Sequence, residues 1–559
     1  MERTFYLPLL DRALQFAAKH TDEQGRMVVD AEIDCKDSGW LVLGGVIRGV
    51  GAGWTIGKTD LRNCCRLWTL ASVRVDDRRS AWTTFALLYA VFLSGGPKGA
   101  FASLFSESEW REIVRFIRQL DMRYLREASR NYCVAAALIE VMRVRFGFVG
   151  QTEIDPGHCM ERMLEAYLGN GFFNDDDSRG SRDDRRIDAY SGEIIGLLLH
   201  YDELFDFRSP FHERIMKILK DFCASGRFLL DGEGELAKWG RSLRGEAEIK
   251  KVFLWAFAAD RKLVEPEEAD AAAEKMTSFF LRHGFSAEGQ VFRDKGGNRG
   301  IWDEYTTHVQ AQGYGIYGLA MAFRFASGTG HGKFLFPSER KSFLQYLPGP
   351  GIVCANSVST GVHYVIPLKN RMTKNMFFWH NRITGENDVT VDVSAKFMPV
   401  PYFGRLIPAP YSGSEPPFLP EICLDGGERL VPRNLEVSDE VPEIRERKIR
   451  CRQRFHFCRC AEYEPAADFY ADALLICRCD GLRYEFRFSG TPPEKSRLAF
   501  PFFLPPDPAL ALEIRFDGVE AEWCSSVGGA SVYGPSTQRK TAFVSFGSFI
   551  GYDVRWKHV

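Results

Sequence analysis

The chain has 559 residues, of which 45% are hydrophobic, 26% charged and 13% aromatic. That length exceeds one hydrophobic core and predicts two or three domains, and the composition is that of a globular chain rather than a disordered one. With 72 Lys and Arg against 74 Asp and Glu the net charge is −2, so no basic face is offered to nucleic acid or to an anionic membrane.

No apolar run approaches the roughly 18 residues that a membrane span needs, so no membrane partner is expected. The start, Met1-Glu2-Arg3-Thr4-Phe5-Tyr6-Leu7-Pro8, lacks a basic stretch followed by an apolar one. Together with 14 scattered cysteines this fits a reducing, cytoplasmic setting. The 44 Phe, 19 Tyr and 11 Trp read first as core, although such rings also stack on sugars.

From the start to about residue 332 apolar residues recur at three- and four-residue spacing. They predict helices over Phe5–Lys19, Ser80–Leu93, Glu107–Leu120, Asn131–Phe146, Cys159–Leu168, Asp188–Leu204, Pro210–Ala224, Gly245–Ala259, Pro266–His283 and Tyr305–Phe325. Long helices joined by polar loops suggest helical hairpins closed into a ring. No repeat of fixed period is legible, which argues against a regular solenoid. Residues 333–352 read as a linker.

Beyond it come β-rich runs at Gly361–Leu368, Asn375–His380, Lys448–Cys460, Ala471–Cys479, Arg483–Ser489, Leu510–Phe516 and Thr541–Val554. A Pro-rich, acidic stretch over 399–445 reads as a long loop or an edge excursion. The expected fold is thus α+β and multidomain: an N-terminal (α/α) toroid of helical hairpins over 1–332, then an antiparallel β-sandwich over 353–559. Neither a G-x-G-x-x-G after a strand nor a Walker motif occurs, and no cofactor is expected.

Several stretches resemble a bacterial family known as domain of unknown function 2264. They are Tyr167-Leu168-Gly169-Asn170-Gly171-Phe172-Phe173-Asn174-Asp175-Asp176-Asp177, then Arg186-Ile187-Asp188-Ala189-Tyr190, Trp239-Gly240-Arg241-Ser242-Leu243, and Asp303-Glu304-Tyr305 ahead of Gly313-Tyr314-Gly315-Ile316-Tyr317. The resemblance spans roughly residues 80–330. The family's His-Phe-Tyr aligns near Glu193–Leu198, whereas here His200-Tyr201 comes later.

What the resemblance implies is a six-hairpin toroid with a β-domain, an architecture shared with uronate-processing glycoside hydrolases and heparinase-like lyases. Some relatives are β-glucuronidases, which favours a hydrolase acting on an oligosaccharide or polysaccharide. Fold alone does not fix the reaction.

A glycosidase needs two carboxylates about the scissile bond. Asp188 opens a predicted helix and suits either a site or an N-cap. Glu193, five residues on, projects elsewhere and reads equally as helix surface. Asp303 and Glu304 precede the last helix, and Glu304 with His308 at i+4 shares one face; a first-turn acid is the plainer reading. The planar fork of Arg241 suits a uronate carboxylate or a buried salt bridge.

Trp239 and Trp302 suit sugar stacking or core packing. Asp177, Tyr190 and Tyr305 complete the substrate-binding candidates with Asn131. A lyase would instead cast Asn131, Tyr190, Arg241 and His308 as neutraliser and base, with His363 and His380 reaching in from the sandwich. A non-catalytic glycan-binding protein is the third reading.

Asp175-Asp176-Asp177 lacks the spacing of a calcium loop and reads as a solvated turn. The pairs Cys458-x-Cys460 and Cys477-x-Cys479 have the alternation of a strand face; a four-thiolate zinc site there is less expected than core packing. No metal site is predicted.

Overall fold

In a computed structural model the described residues are 2–29, 32–34, 38–75, 80–127, 130–174, 189–236, 248–292, 308–326, 333–368, 397–398, 419–425, 427–433, 441–445, 447–459, 465–466, 468–503, 509–526 and 539–559. The helices among them are α1 (Arg3–Lys19), α2 (Gly39–Ala52), α3 (Leu61–Val73), α4 (Ala81–Leu93), α5 (Glu107–Arg118), α6 (Met122–Glu127), α7 (Arg130–Arg145), α8 (Pro156–Leu164), α9 (Ala189–Glu203), α10 (His212–Leu229), α11 (Ile249–Asp260), α12 (Pro266–His283), α13 (His308–Phe325) and a short α14 (Pro337–Arg340).

Their starts carry ordinary helix signals. Ser106 and Glu109 form a capping box at α5, and Asp155 with Pro156 opens α8. No helix among the described residues is long and apolar enough to cross a membrane.

The helices close on themselves. α2 packs on α4, α4 on α7, α7 on α9, α9 on α11, α11 on α13, and α13 returns to α2. On the outside α1 lies against α13 and α2, α3 against α2, α8 against α7, α10 against α9 and α11, and α12 against α11.

Helix α2 is not among the predicted helices, and it is rich in glycine, with Gly44, Gly45 and Gly49 in its interior. Tertiary packing explains them: a Cβ on Gly44 would overlap Ile316 of α13, and one on Gly45 would press the Cys65 sulfur of α3. The glycines let neighbouring helices come close, which outweighs the roughly 1 kcal/mol each loses in helix propensity. The predicted helix over Cys159–Leu168 stops at Leu164, and Tyr167–Gly169 pairs instead with Phe172–Phe173.

A repeated turn stitches the outer helices together. After α1, α10 and α12 the chain makes the same six-residue reversal, bridging Thr21 to Met27, Leu230 to Leu236 and Phe285 to Val291. The side chain of Asp22 accepts from Gln24 and Arg26 N–H, Asp231 accepts from Glu233, Gly234 and Glu235 N–H, and Ser286 accepts from Gln290 N–H.

Gly25, Gly234 and Gly289 hold positive φ of 81°, 98° and 97°. Each sits on a backbone carbonyl of the next outer helix, respectively Leu67 of α3, Lys275 of α12 and Arg12 of α1. The last of these joins the end of the helical region to its beginning. Gln312 reinforces the seam by donating to the Ala13 and Gly289 carbonyls and accepting from Val291 N–H.

The stretch expected as a linker carries α14 and the first strand of a four-stranded sheet. That sheet comprises β1 (Phe343–Leu347), β2 (Ile352–Ser357), β3 (Val362–Pro367) and β4 (Phe397–Met398). It forms a middle layer. Ile352, Cys354 and Val365 join the helical core, while Val353, Ala355, Tyr364 and Ile366 join a second core.

The second core is enclosed by β5 (Glu421–Leu424), β6 (Arg429–Arg433), β7 (Glu443–Arg445), β8 (Lys448–Arg459), β9 (Phe469–Arg478), β10 (Gly481–Gly490), β11 (Ser496–Phe503), β12 (Leu510–Phe516), β13 (Glu522–Ser526), β14 (Arg539–Val544) and β15 (Phe549–His558). They form one sheet in the order β12-β15-β10-β9-β8-β6-β5-β11-β14-β13, with β7 paired to β8. Its strands alternate in and out, as in Ile449, Cys451, Phe455 and Phe457 of β8. The sheet curls on itself, for Phe502 of β11 meets Tyr552 of β15 at 5.5 Å across the interior.

The helical and antiparallel β parts are therefore present, but the large sheet is continuous where separate sandwich sheets were expected. Thr541–Val554 divides into β14 and β15, because residues 545–548 turn the chain. Within the 399–445 stretch, β5 and β6 are interior strands rather than an edge excursion. Asn375–His380 lies outside the described residues.

The four-thiolate zinc arrangement fails on register. Cys477 lies opposite Ile449, whereas Cys458 lies opposite Val431, nine residues further along β8 and roughly 30 Å away. No group of three or more metal-ligating side chains occurs among the described residues.

Candidate active site

The inner helices share an internal pattern. Trp82, Phe85, Tyr89 and Phe92 of α4 are spaced three, four and three residues apart, which keeps them on one helical face. The same spacing holds for Glu193, Gly196, His200 and Glu203 of α9, for Lys250, Phe253, Phe257 and Asp260 of α11, and for Tyr314, Tyr317, Met321 and Arg324 of α13. Contacts between these stripes show that they face one another across the ring, and so build it in layers.

The layer at the helix starts forms a narrow, partly open pocket. It is lined by Trp40, Trp82, Gly192, Glu193, Gly196, Leu197, Lys250, Phe253, Tyr314 and Tyr317. Trp40, on the first turn of α2 and 3% exposed, is its hub: its ring lies 4.7 Å from Tyr317, 5.5 Å from Tyr314 and 6.4 Å from Trp82. Tyr132 of α7 packs edge-on to Trp82 at 5.2 Å.

Into this aromatic wall is set an ion pair. Lys250, whose side chain is 4% exposed, donates to Glu193, which is 22% exposed. The Lys250 ammonium also lies 4.7 Å from the centre of the Tyr314 ring.

Below the pocket the ring is filled. His200 Nε2 lies 2.8 Å from the Tyr317 hydroxyl, and Phe85, Tyr89 and Phe253 surround the imidazole at 4.4–6.1 Å. Burial, aided by the Arg324 cation, takes His200 well below its ordinary pKa.

At the far end Arg324 binds Glu203 through both of its terminal nitrogens and donates to the Tyr89 hydroxyl at 3.0 Å, while Tyr89 donates to Glu203. Burial, then the Glu203 charge, pushes the Tyr89 phenol far up. Burial works against the Arg324 cation, but Tyr89 and Glu203 outweigh it and raise its pKa.

Of the sequence-predicted residues, Glu193 lines this pocket. Asn131, 6% exposed, lies on α7 beside Tyr132, and Tyr190 falls on the first turn of α9. His308 opens α13, is 6% exposed and is not among the pocket's lining residues. Asp188, Asp303, Glu304, Asp177, Trp239, Arg241, Trp302, Tyr305 and His380 lie outside the described residues.

His363 belongs elsewhere. It is buried at the junction of β3 with the helical core, 5.9 Å from Phe343. Burial lowers its pKa to about 4, partly offset by Asp231 and by a hydrogen bond to the Phe228 backbone. Sequence reasoning missed Trp40, Trp82, Lys250 and the role of His200. The shared three-four-three spacing in α4, α9, α11 and α13 was the available signal.

No family model matches the chain, and no curated protein is similar to it; the likeness to the family named above therefore rests on those motifs alone. Among solved structures, 99% of the chain is similar to 79% of chondroitin AC lyase from Streptomyces coelicolor A3, a complex with chondroitin sulphate, at 9% identity and a TM-score of 0.50. Likeness at that identity is one of fold.

A glycosyl hydrolase family 88 protein from Bacteroides vulgatus matches 58% of this chain over 100% of its own, at 9% identity and a TM-score of 0.42. A possible member of glycoside hydrolase family 105 from Salmonella enterica matches 58% of this chain over 95% of its own, at 13% identity and a TM-score of 0.42.

Proposed function

We propose that the chain is a carbohydrate-active enzyme that receives a sugar ring in the aromatic pocket, and that it is a glycoside hydrolase acting on a glycan that carries uronic acid. The observation behind this reading is the pocket's make-up: two half-buried aromatic rings, Trp82 and Tyr314, set against the buried Trp40 and around one carboxylate, Glu193, held by the buried Lys250. Aromatic faces accept the C–H face of a pyranose, and a carboxylate at the reacting bond is what glycoside hydrolysis needs.

The closed ring of helices is the (α/α) toroid in this proposal, and the curled sheet is its accompanying β-domain. The second carboxylate comes from the segments leading into the inner helices: Asp188 directly precedes α9, and Asp303 and Glu304 lead into α13. Arg241 is the partner for the substrate carboxylate.

One observation favours a lyase as the second reading. The Lys250 cation beside the Tyr314 phenol supplies a neutraliser for a uronate carboxylate and a group to take the C5 proton. Purified protein screened on aryl glycosides and uronate oligosaccharides separates the two. Released aglycone supports the hydrolase, and unsaturated-uronate absorbance supports the lyase. Retention of either activity in Glu193→Gln and Lys250→Met together would overturn the assignment of this pocket.

A further inference from the structure

Tyr317 and His200 have no part in the chemistry above, yet Tyr317 lines the pocket and His200 lies directly beneath it. Tyr317 of α13 lines the pocket, and its hydroxyl is 2.8 Å from His200 Nε2. His200 is 1% exposed, and its Nδ1 has no hydrogen-bond partner. That asymmetry bears on where the protons sit. If Nδ1 carried the hydrogen, a donor would be buried among Phe85, Tyr89 and Phe253 without an acceptor. Buried N–H groups left without acceptors are rarer than unfilled lone pairs.

Resting on the reading of this pocket as a sugar site, we propose that His200 donates its Nε2–H to the Tyr317 oxygen. The phenol hydrogen of Tyr317 is thereby turned into the pocket, where it donates to one hydroxyl of the bound sugar. Tyr317 thus decides which sugar hydroxyl the pocket requires, and His200 is the residue that positions it.

The surroundings keep both groups in the form this needs. Burial and the Arg324 cation hold His200 neutral, while burial, then the Glu193 charge, keeps the proton on Tyr317. Gly196 supplies the space: a Cβ there would stand 3.0 Å from Phe253 and 3.7 Å from the Tyr317 oxygen.

Two measurements test this. The first needs no ligand: histidine-selective ¹⁵N NMR of the full chain, with His200→Gln assigning the resonance. His200 is expected as the Nε2–H tautomer from about pH 5 to about pH 8; an Nδ1–H tautomer, or protonation within that range, overturns the proposal.

The second reads tryptophan fluorescence during titration with methyl glycosides of glucuronic acid, glucose, mannose and N-acetylglucosamine, then with monodeoxy analogues of the tightest binder. Tyr317→Phe is expected to weaken the parent sugar about tenfold while leaving one monodeoxy analogue unchanged. His200→Leu should match it, and His200→Gln, which keeps a donor in place of Nε2, should restore most of the affinity. Equal weakening of the parent and every analogue overturns the proposal and leaves the sugar site standing. Binding of none of the sugars by the unaltered protein overturns the sugar site as well.

Discussion

Where the inner helices begin, α9 offers Glu193 to Lys250 of α11; where they finish, α9 offers Glu203 to Arg324 of α13. The two carboxylates lie ten residues apart on one face, about 15 Å along the helix. At the far end Arg324 grips both oxygens of Glu203, and Tyr89 donates to it as well. At the near end a single ammonium meets a carboxylate that borders an open pocket walled by indoles. The same helix therefore carries one carboxylate that ties two inner helices together at the far end and another, Glu193, that borders the pocket proposed as the sugar site.

That contrast breaks if both pairs behave alike on mutation. Glu193→Gln is expected to lower turnover by roughly 10²–10⁴-fold, with a modest loss of stability because the amide oxygen still accepts from Lys250. Kinetics and thermal melts on one preparation check both halves. Arg324→Ala is expected to do the reverse: it strands the Glu203 charge and costs about 3–5 kcal/mol in denaturant unfolding, with KM unchanged among the surviving folded molecules. Equal activity losses in the two variants would erase the distinction.

A pH series sharpens it from outside the ring axis. His363, with a pKa of about 4 when folded against roughly 6.5 unfolded, contributes no pH dependence above about 6.5. As pH falls from 6.5 towards 4 the unfolded chain takes up a proton that the folded one refuses. Stability should therefore drop by up to about 3 kcal/mol and then level. His200, also depressed by burial, adds to the drop. Melting curves of His363→Phe should lose part of this slope with turnover at neutral pH unchanged; an unaltered slope would exclude His363 as its source.

The smallest effect expected is at the ring seam. Gly289→Ala presses a methyl against the Arg12 carbonyl at positive φ and should cost about 2 kcal/mol, with sugar affinity unmoved. A change in affinity would mean that seam and pocket are coupled.

Helices α4, α5, α7 and α12 were legible because their apolar spacing and punctuation agree with their burial. So were β8, β9 and β10, whose alternation matches a sheet with one buried face. Helix α2 was not legible: its glycines are explained only by Ile316 and Cys65, which come from distant parts of the chain. The repeated turn was hidden for a related reason. Asp22, Asp231 and Ser286 share a hydrogen-bonding role but not an identity, and their glycines are required by carbonyls of other helices.

In the pocket, Glu193 was legible as an acid near a helix start. Lys250 was not, since nothing local distinguishes a lysine that will be buried opposite a glutamate 57 residues away. By itself the sequence determined the helical and β parts and their order, because these follow from local periodicity and punctuation. Tertiary structure alone decided which stripes face the ring axis, that the large sheet is continuous, and that Trp40, Trp82, Glu193, Lys250 and Tyr314 meet. Ring closure brings together the starts of helices far apart along the chain, and no local pattern encodes that convergence.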